Sequence, residues 1–471
     1  MIEWTQSAGA EKYRVYYYGS KGWTKMAETE ETSFLDTDVR SGNTYTYTVR
    51  CITADGKNFM SDYRAGKKIR YVAAPRITSI ENTEDGALIK WGAVNGADFY
   101  RIYYKNKNGG WNRLASKYLT EYTDTSVSEG ETRVYTIRCL NEDEDFVSDY
   151  VSEGWSNTYH GPPAITSVSA SGSGNLIKWE KGDDVAAYRL YRKTLGDSWS
   201  RLFDSTPDTS YQDNTVQKGK IYAYTLRYLN EGGELISGYR NHVKYYKDGK
   251  VVNGKIESSG TYYFEDGYLC TGFKRIDGKL YCFSDSGKMR ADVIVKSGSD
   301  YYYVDKNGVC WESKETRLAA EFLAVYCKGD TIKEKMKYGF MYLADNYPYQ
   351  RVYNDTPTSE KDIAPFASEL FEIKKGTCYR YAAGFAYLAK IAGYRTRFCF
   401  GYSGVLQHGW TEVYVDGRWL VCDVDAQLPG YNFAPYEVYM RTEHVWALDK
   451  RWHSELTVSG GKASWDKPIS Y

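Results

Sequence analysis

The chain has 471 residues and a formal net charge of zero. At roughly 100–200 residues per domain, that length excludes a single core, and neutrality removes the overall field that draws a protein onto nucleic acid or an anionic membrane. Tyrosine is the anomaly, with 48 copies beside 13 Trp and 16 Phe, a mix that suits twisted sheets and hairpins with aromatic faces.

No run of about 18 apolar residues occurs, so no membrane-spanning helix is expected. Met1-Ile2-Glu3-Trp4 carries no signal peptide. The nine cysteines, Cys51, Cys139, Cys270, Cys282, Cys310, Cys327, Cys378, Cys399 and Cys422, form no Cys-x-x-Cys pair. No structural zinc site, no other metal and no cofactor is therefore expected. The odd count leaves at least one thiol unpaired within the chain.

Along the chain, internal repeats come first. Trp4, Trp91 and Trp179 are spaced by 87 and 88 residues. Each precedes a Tyr-Arg-aliphatic-Tyr run: Tyr13 to Tyr16, Tyr100 to Tyr103, and Tyr188 to Tyr191. A second Trp follows at Trp23, Trp111 and Trp199. Tyr45, Tyr47, Val49 and Cys51 alternate with Thr46, Thr48 and Arg50, the period of a half-buried strand. Three copies of about ninety residues, built from short strands and Gly/Asn/Asp turns, read as β-sandwiches. Cys51 and Cys139 fall at one core position, Tyr228 in the third copy, and are expected as buried thiols in separate domains. With a Gly-x-x-Tyr approach at Gly42…Tyr45 and Gly219…Tyr222, the copies resemble fibronectin type III domains. Copy two has Arg133 at that tyrosine position. Copies two and three open with a strand, Ile77–Ile80 and Ile165–Val168, for which copy one has no room before Trp4. The chain thus reads as a piece of a longer protein.

Residues 246–312 change character. Aromatic pairs lead into a turn and a glycine at Tyr262-Tyr263…Gly267, Tyr281-Cys282-Phe283…Gly287 and Tyr302-Tyr303…Gly308. Each unit reads as a β-hairpin that buries its aromatics only by stacking on the next. They resemble the cell-wall-binding repeats of secreted Gram-positive bacterial proteins, some of which hold choline or glucan. Where those repeats carry Trp, this chain has Thr261, Leu280 and Tyr301. A Trp cage for choline is not expected, and cell-wall glycan or other surface carbohydrate is the partner the resemblance implies.

From about Thr316 the period becomes helical. Gly376-Thr377-Cys378 opens a helix whose apolar positions are Tyr381, Phe385, Leu388 and Ala392, with Gly393 at its end. Thr377 is a candidate N-cap. Cys378 then sits in the first turn, where backbone N–H groups and the macrodipole favour a thiolate, the nucleophile of acyl transfer. Next come His408 to Val415, the two-residue turn Asp416-Gly417 and the return strand Arg418 to Asp425. Partners in this ribbon sum to 833, so Trp410 faces Asp423 and His408 faces Asp425. Asp423 lies diagonal to His408, within about 7 Å between Cβ atoms. Val413, Val415, Leu420, Cys422 and Val424 form the core face. A carboxylate in reach orients the imidazole and stabilises its cation; on register alone, Asp423 and Asp425 both qualify.

Gly-x-Cys at a helix start, His-x-Trp-x-Glu-Val-Tyr-x-Asp-Gly-x-Trp, and an Asp fifteen residues after the His resemble the transglutaminase-like superfamily. The resemblance implies a papain-like α+β core with Cys378 as nucleophile, His408 as base and Asp423 as the orienting acid. Trp410, Tyr379 and Asp425 are the candidate substrate contacts, while Trp410 and Trp419 also suit hairpin packing. His444 and His453 are expected at the surface, Cys399 and Cys422 as buried thiols. The expected organisation is three sandwiches (1–73, 74–160, 161–245), a hairpin segment (246–312) and a catalytic domain (313–471). The expected function is a secreted or wall-associated bacterial cysteine acyl-transfer enzyme, a peptidase or amidase ahead of a cross-linker. It acts as a monomer on a protein or peptide, without nucleic acid. The competing reading is a non-catalytic adhesin whose last domain binds peptides.

Overall fold

In the computed structural model, which describes residues 1–352, 355–403, 406–446 and 448–456, the chain divides into two compact units. One comprises 1–252 with 266–268, the other 253–265 with 269–471.

The first unit holds the three tryptophan-marked copies. In copy two a sheet of Trp111–Lys117, Phe99–Lys105, Thr132–Leu140 and Trp155–Thr158 accompanies one of Glu121–Asp124, Ala87–Trp91 and Ile77–Asn82. Copy three repeats this pair, and its larger sheet runs on through Tyr245–Lys247 and Lys250–Val251, past the expected boundary. Copy one has the four-stranded sheet but only a two-stranded partner, Ile2–Glu3 with Ser33–Phe34.

One local device recurs in all three. Trp4–Tyr13, Trp91–Tyr100 and Trp179–Tyr188 meet edge-on at 5.5, 5.6 and 5.6 Å between ring centroids, the geometry aromatic quadrupoles favour. Each tyrosine hydroxyl accepts a backbone N–H, from Ser7, Val94 and Gly182. Tyr13 pairs with Cys51, Tyr100 with Cys139 and Tyr188 with Tyr228, so the three positions are equivalent. All nine cysteines are free thiols. Tyr45 and Tyr222 accept the N–H of Arg40 and Gln217. Arg133 replaces that bond by donating to the Ser126 carbonyl and pairing with Asp124 and Glu131 at 2.7 and 2.6 Å.

The second unit contains three hairpins: Gly254–Glu257 with Thr261–Glu265, Gly272–Ile276 with Lys279–Phe283, and Val293–Ser297 with Asp300–Val304. Their tight turns precede the aromatic strands, and the glycine turns link one hairpin to the next. Gly287 and Gly308 have φ of +76° and +83°, and a Cβ there would stand 2.3 Å from Leu269 and 2.5 Å from Met289. Only glycine suits both the left-handed backbone and the close approach.

Among the described residues four α-helices follow: α1 (Lys314–Val325), α2 (Ile332–Asn346), α3 (Ile363–Ile373) and α4 (Cys378–Ile391). They share one core with a four-stranded antiparallel sheet ordered Arg418–Cys422, Leu406–Val415, Arg395–Ser403, Asp449–Glu455. Helix α4 is buried nearly all round, as a central helix must be when other helices and a sheet surround it. The fold class is thus sandwiches followed by an α+β domain.

Candidate active site

Three local features set the start of α4. Gly376 is held between the Pro348 carbonyl (3.3 Å) and the Gln350 N–H (2.8 Å). Thr377 is the N-cap by backbone, but its hydroxyl makes no capping bond; it donates to Asp355 at 2.7 Å. Arg380, one turn on, pairs with Asp355 and Glu369. Cys378 heads the helix and is 5 % exposed. Gly409 makes the approach of helix and ribbon possible, since a Cβ there would stand 2.7 Å from the Tyr379 ring. Thr411 locks the contact by donating to the Ala382 carbonyl at 2.6 Å.

The ribbon has the expected register, Thr411 to Cys422 through Val415 to Arg418. Asp416 and Gly417 have φ of 49° and 82°, as a two-residue turn with both residues left-handed requires. The ladder stops at Cys422 and the chain turns through 423–427. That turn puts the two carboxylates on different nitrogens of one ring. Asp423 Oδ2 lies 2.6 Å from His408 Nε2, and Asp425 Oδ2 lies 3.6 Å from His408 Nδ1. The Cys378 sulfur, a His408 nitrogen and an Asp425 oxygen all lie within 4.8 Å of one another. With Nε2 engaged by Asp423, Nδ1 is left for the sulfur.

Of the two residues read as surface histidines, His453 is buried and His444 is half-buried. His453 sits on the edge strand opposite Cys399. His444 comes 2.7 Å from Asp423 Oδ2 through its Nε2. Its Nδ1 lies 3.0 Å from the Trp446 N–H and 3.2 Å from the Trp446 carbonyl, and its Nε2 donates to the carboxylate. Asp423 Oδ2 thus receives two imidazole donors, and Oδ1 accepts the Ala426 N–H at 3.0 Å. Sequence spacing held no signal for His444, twenty-one residues from Asp423 in a segment without periodicity.

Burial opposes the charge of His408, but the Asp423 carboxylate outweighs it and holds the ring well above its ordinary range. Burial likewise opposes the charge of Asp423, yet His408 and His444 hold it well below the usual carboxylate range. Burial pushes the Cys378 thiol up, countered by His408. Asp425 is pushed up to about 7, first by burial and then by Asp423. Its Oδ1 is buried without a hydrogen-bond partner among the described residues.

Trp446 stands edge-on to His408 at 4.8 Å, and Trp410 lies parallel to it at 6.2 Å. Trp410 is 2 % exposed, packs with Cys399 and Val421, and donates to Glu412 at 3.0 Å; it supports the imidazole from within. Tyr379 is buried against Phe366 and Phe400, and its hydroxyl reaches Gln407 at 3.3 Å. Cys399 and Cys422 are buried thiols, as expected. A cavity of about 610 Å³ is lined by Tyr347, Pro348, Tyr349, Leu428, Pro429 and Tyr431 among others. It lies beside the start of α4, where Tyr349 pairs with Gly376.

Residues 321–424 match the Transglutaminase-like superfamily. Cys378, His408 and Asp423 fall inside that span, Asp425 and His444 outside it. The chain is 25 % identical over 270 residues to Exoglucanase B of Cellulomonas fimi, which covers 50 % of this chain and 23 % of that protein. The chain thus spans less than a quarter of that relative. Among solved structures, the FN1-FN3 domains of chicken CNTN1 align with 53 % of this chain and 93 % of theirs, at 13 % identity and a TM-score of 0.25. The choline binding domain of Spr1274 from Streptococcus pneumoniae aligns with 13 % of this chain and 97 % of its own, at 25 % identity and a TM-score of 0.13. Neither score is high enough to bear on fold or function.

Proposed function

We propose that the transglutaminase-like domain is a cysteine acyl-transfer enzyme acting on the carboxamide or peptide bonds of a protein. The observation that carries this reading is the seating of His408 between Cys378 and Asp423. An imidazole whose cation is stabilised by a buried carboxylate is a stronger base toward a neighbouring thiol. His408 Nδ1 takes the thiol proton while the sulfur bonds to the substrate carbonyl carbon and the carbonyl π pair moves onto oxygen. The backbone N–H of Cys378, at the helix N-terminus, is the natural donor to that oxyanion. The intermediate collapses, the C–N bond breaks, and Nδ1 returns the proton to the leaving amine, giving a thioester at Cys378. Water or an amine then attacks the thioester by the same proton route in reverse.

Hydrolysis is the outcome we favour. The adjoining cavity is open enough to leave Tyr349 48 % exposed, and a wet groove supplies water ahead of a dilute amine. A secreted or wall-attached location is part of the reading, which the likeness to a protein named Exoglucanase B supports. The sandwiches and hairpins then serve as spacer.

A peptide library incubated with the full chain, with and without a primary amine, tests the proposal by mass spectrometry. Cleaved or deamidated products are expected, absent with Cys378→Ala, with isopeptide products minor. Rapid iodoacetamide labelling of Cys378 near pH 6, lost in His408→Ala, is the companion result. Labelling at the rate of an ordinary thiol, with no product from any peptide, would leave a binding module.

A further inference from the structure

Two carboxylates flank one imidazole, and the acyl-transfer scheme uses only Asp423. Asp425 is 4 % exposed, its Oδ1 has no hydrogen-bond partner among the described residues, and its Oδ2 stands 3.6 Å from His408 Nδ1, beyond a hydrogen bond. A buried, unpaired carboxylate is costly unless a cation satisfies it. Beside it are the Cys378 sulfur and the His408 ring, and one ligand atom from each of the three residues falls within 4.8 Å of the others.

From this arrangement we infer that Cys378, His408 and Asp425 form a zinc site that reversibly switches the nucleophile off. One sulfur, one imidazole nitrogen and one carboxylate oxygen are a ligand set zinc accepts, with the fourth tetrahedral position left to solvent. Tetrahedral bonding at about 2.0–2.3 Å sets an N···O separation of about 3.3 Å; the observed Nδ1···Oδ2 separation is 3.6 Å, so these two ligands close by a few tenths of an ångström. The ring is already oriented as metal-bound histidines are, with its other nitrogen donating to a carboxylate, Asp423 at 2.6 Å. His444, at 2.7 Å from the same oxygen, fixes that carboxylate in turn. The cavity beside Tyr349 and Tyr431 is the entry path.

Binding forms Zn–S, Zn–N and Zn–O bonds and displaces to solvent the proton that sulfur and Nδ1 share at rest, together with the Asp425 proton wherever that carboxyl is protonated. It removes both the nucleophile's lone pair and the base that would activate it, so metal occupancy and thioester formation exclude each other at Cys378. The ligands come from a helix start and two points of a ribbon, which is why no Cys-x-x-Cys spacing announces them.

The test is titration of the reduced, chelator-stripped full chain with Zn²⁺ by calorimetry, and with Co²⁺ by absorbance. One metal per chain and a near-ultraviolet thiolate-to-cobalt charge-transfer band are expected. Cys378→Ala abolishes the band. Asp425→Asn weakens affinity at least about tenfold, and Asp423→Asn weakens it by about 10–100-fold through the outer shell. Near-ultraviolet circular dichroism of each variant confirms that the fold is kept. No bound metal, a band that survives Cys378→Ala, or an affinity unchanged in Asp425→Asn overturns the site. Substrate is absent throughout, so failure to find a cleavable peptide leaves this result standing, and failure here leaves acyl transfer standing.

Discussion

Asp425 shows how far one buried carboxylate reaches beyond its own position. An ordinary carboxyl titrates near 3.9, whereas burial and Asp423 push Asp425 up to about 7. The folded chain therefore holds this proton more tightly than the unfolded chain. The contribution is fully present below about pH 4 and is lost as pH rises through about 7. Asparagine occupies the same volume and never ionises, so it escapes that loss. In chelator-treated buffer, Asp425→Asn should melt with the parent near pH 4 and above it at pH 8. A difference on the order of 4 kcal/mol, or roughly 8–16 °C for a domain of this size, is expected at pH 8 and none near pH 4, as read by differential scanning fluorimetry. Equal melting temperatures at pH 8 would mean that Asp425 is satisfied by a partner the geometry does not contain. His444 teaches the complementary lesson. Its hydrogen bond keeps Asp423 ionised and aimed, so the carboxylate that orients His408 is itself oriented.

At the scale of elements, the site exists because α4 and the ribbon approach more closely than two side-chain-bearing surfaces allow. Gly409 is the point of contact, with the Tyr379 ring where its Cβ would be. Gly409→Ala should push the first turn of α4 off the ribbon. A displacement of about 1 Å at a reacting group costs on the order of 10²-fold in rate, and kcat/KM measured on a cleavable peptide should fall by about that factor. Adding Tyr379→Ala reopens the space and should recover part of the loss, a non-additivity expected of touching residues. Full activity in Gly409→Ala alone would show that the helix start is not positioned this way. The ribbon itself was readable in advance. A two-residue turn fixes a register whatever surrounds it, and Thr411↔Cys422 follows from Asp416-Gly417 by counting. What counting could not supply is where the ladder ends. The turn after Cys422 decides that Asp423 takes Nε2 and Asp425 takes the Nδ1 side, a distinction the register alone left open. Nor does a helix-start pattern reveal what covers the helix, so the burial of Cys378 was not legible.

On the scale of the molecule, the repeats were legible because each copy solves the same packing problem with the same residues. A Trp–Tyr edge contact recurs at 5.5–5.6 Å, and one such pair every 87 or 88 residues is visible in the sequence. The joints between copies were not legible, because they rest on backbone groups that no pattern marks. Within the first unit, Asn82 donates to the Thr158 and Ile236 carbonyls, each at 2.8 Å. It also accepts from Asn157 at 2.9 Å. Glu84 accepts the Asn241 N–H at 3.0 Å and pairs with Arg240 at 3.4 Å. The bonds to Ile236, Asn241 and Arg240 tie the second copy to the third, while Thr158 and Asn157 hold Asn82 from within its own copy; each is worth about 1 kcal/mol net, more where a buried carbonyl would be stranded. That is enough to couple two small sandwiches whose own stabilities are a few kcal/mol. Calorimetry of the full chain should therefore show copies two and three unfolding in one cooperative endotherm. In Asn82→Ala combined with Glu84→Ala, that endotherm should broaden or split, with the lower component shifted down by several degrees. An endotherm of unchanged width would mean that the copies are held together by packing alone and that these side chains only decorate the joint.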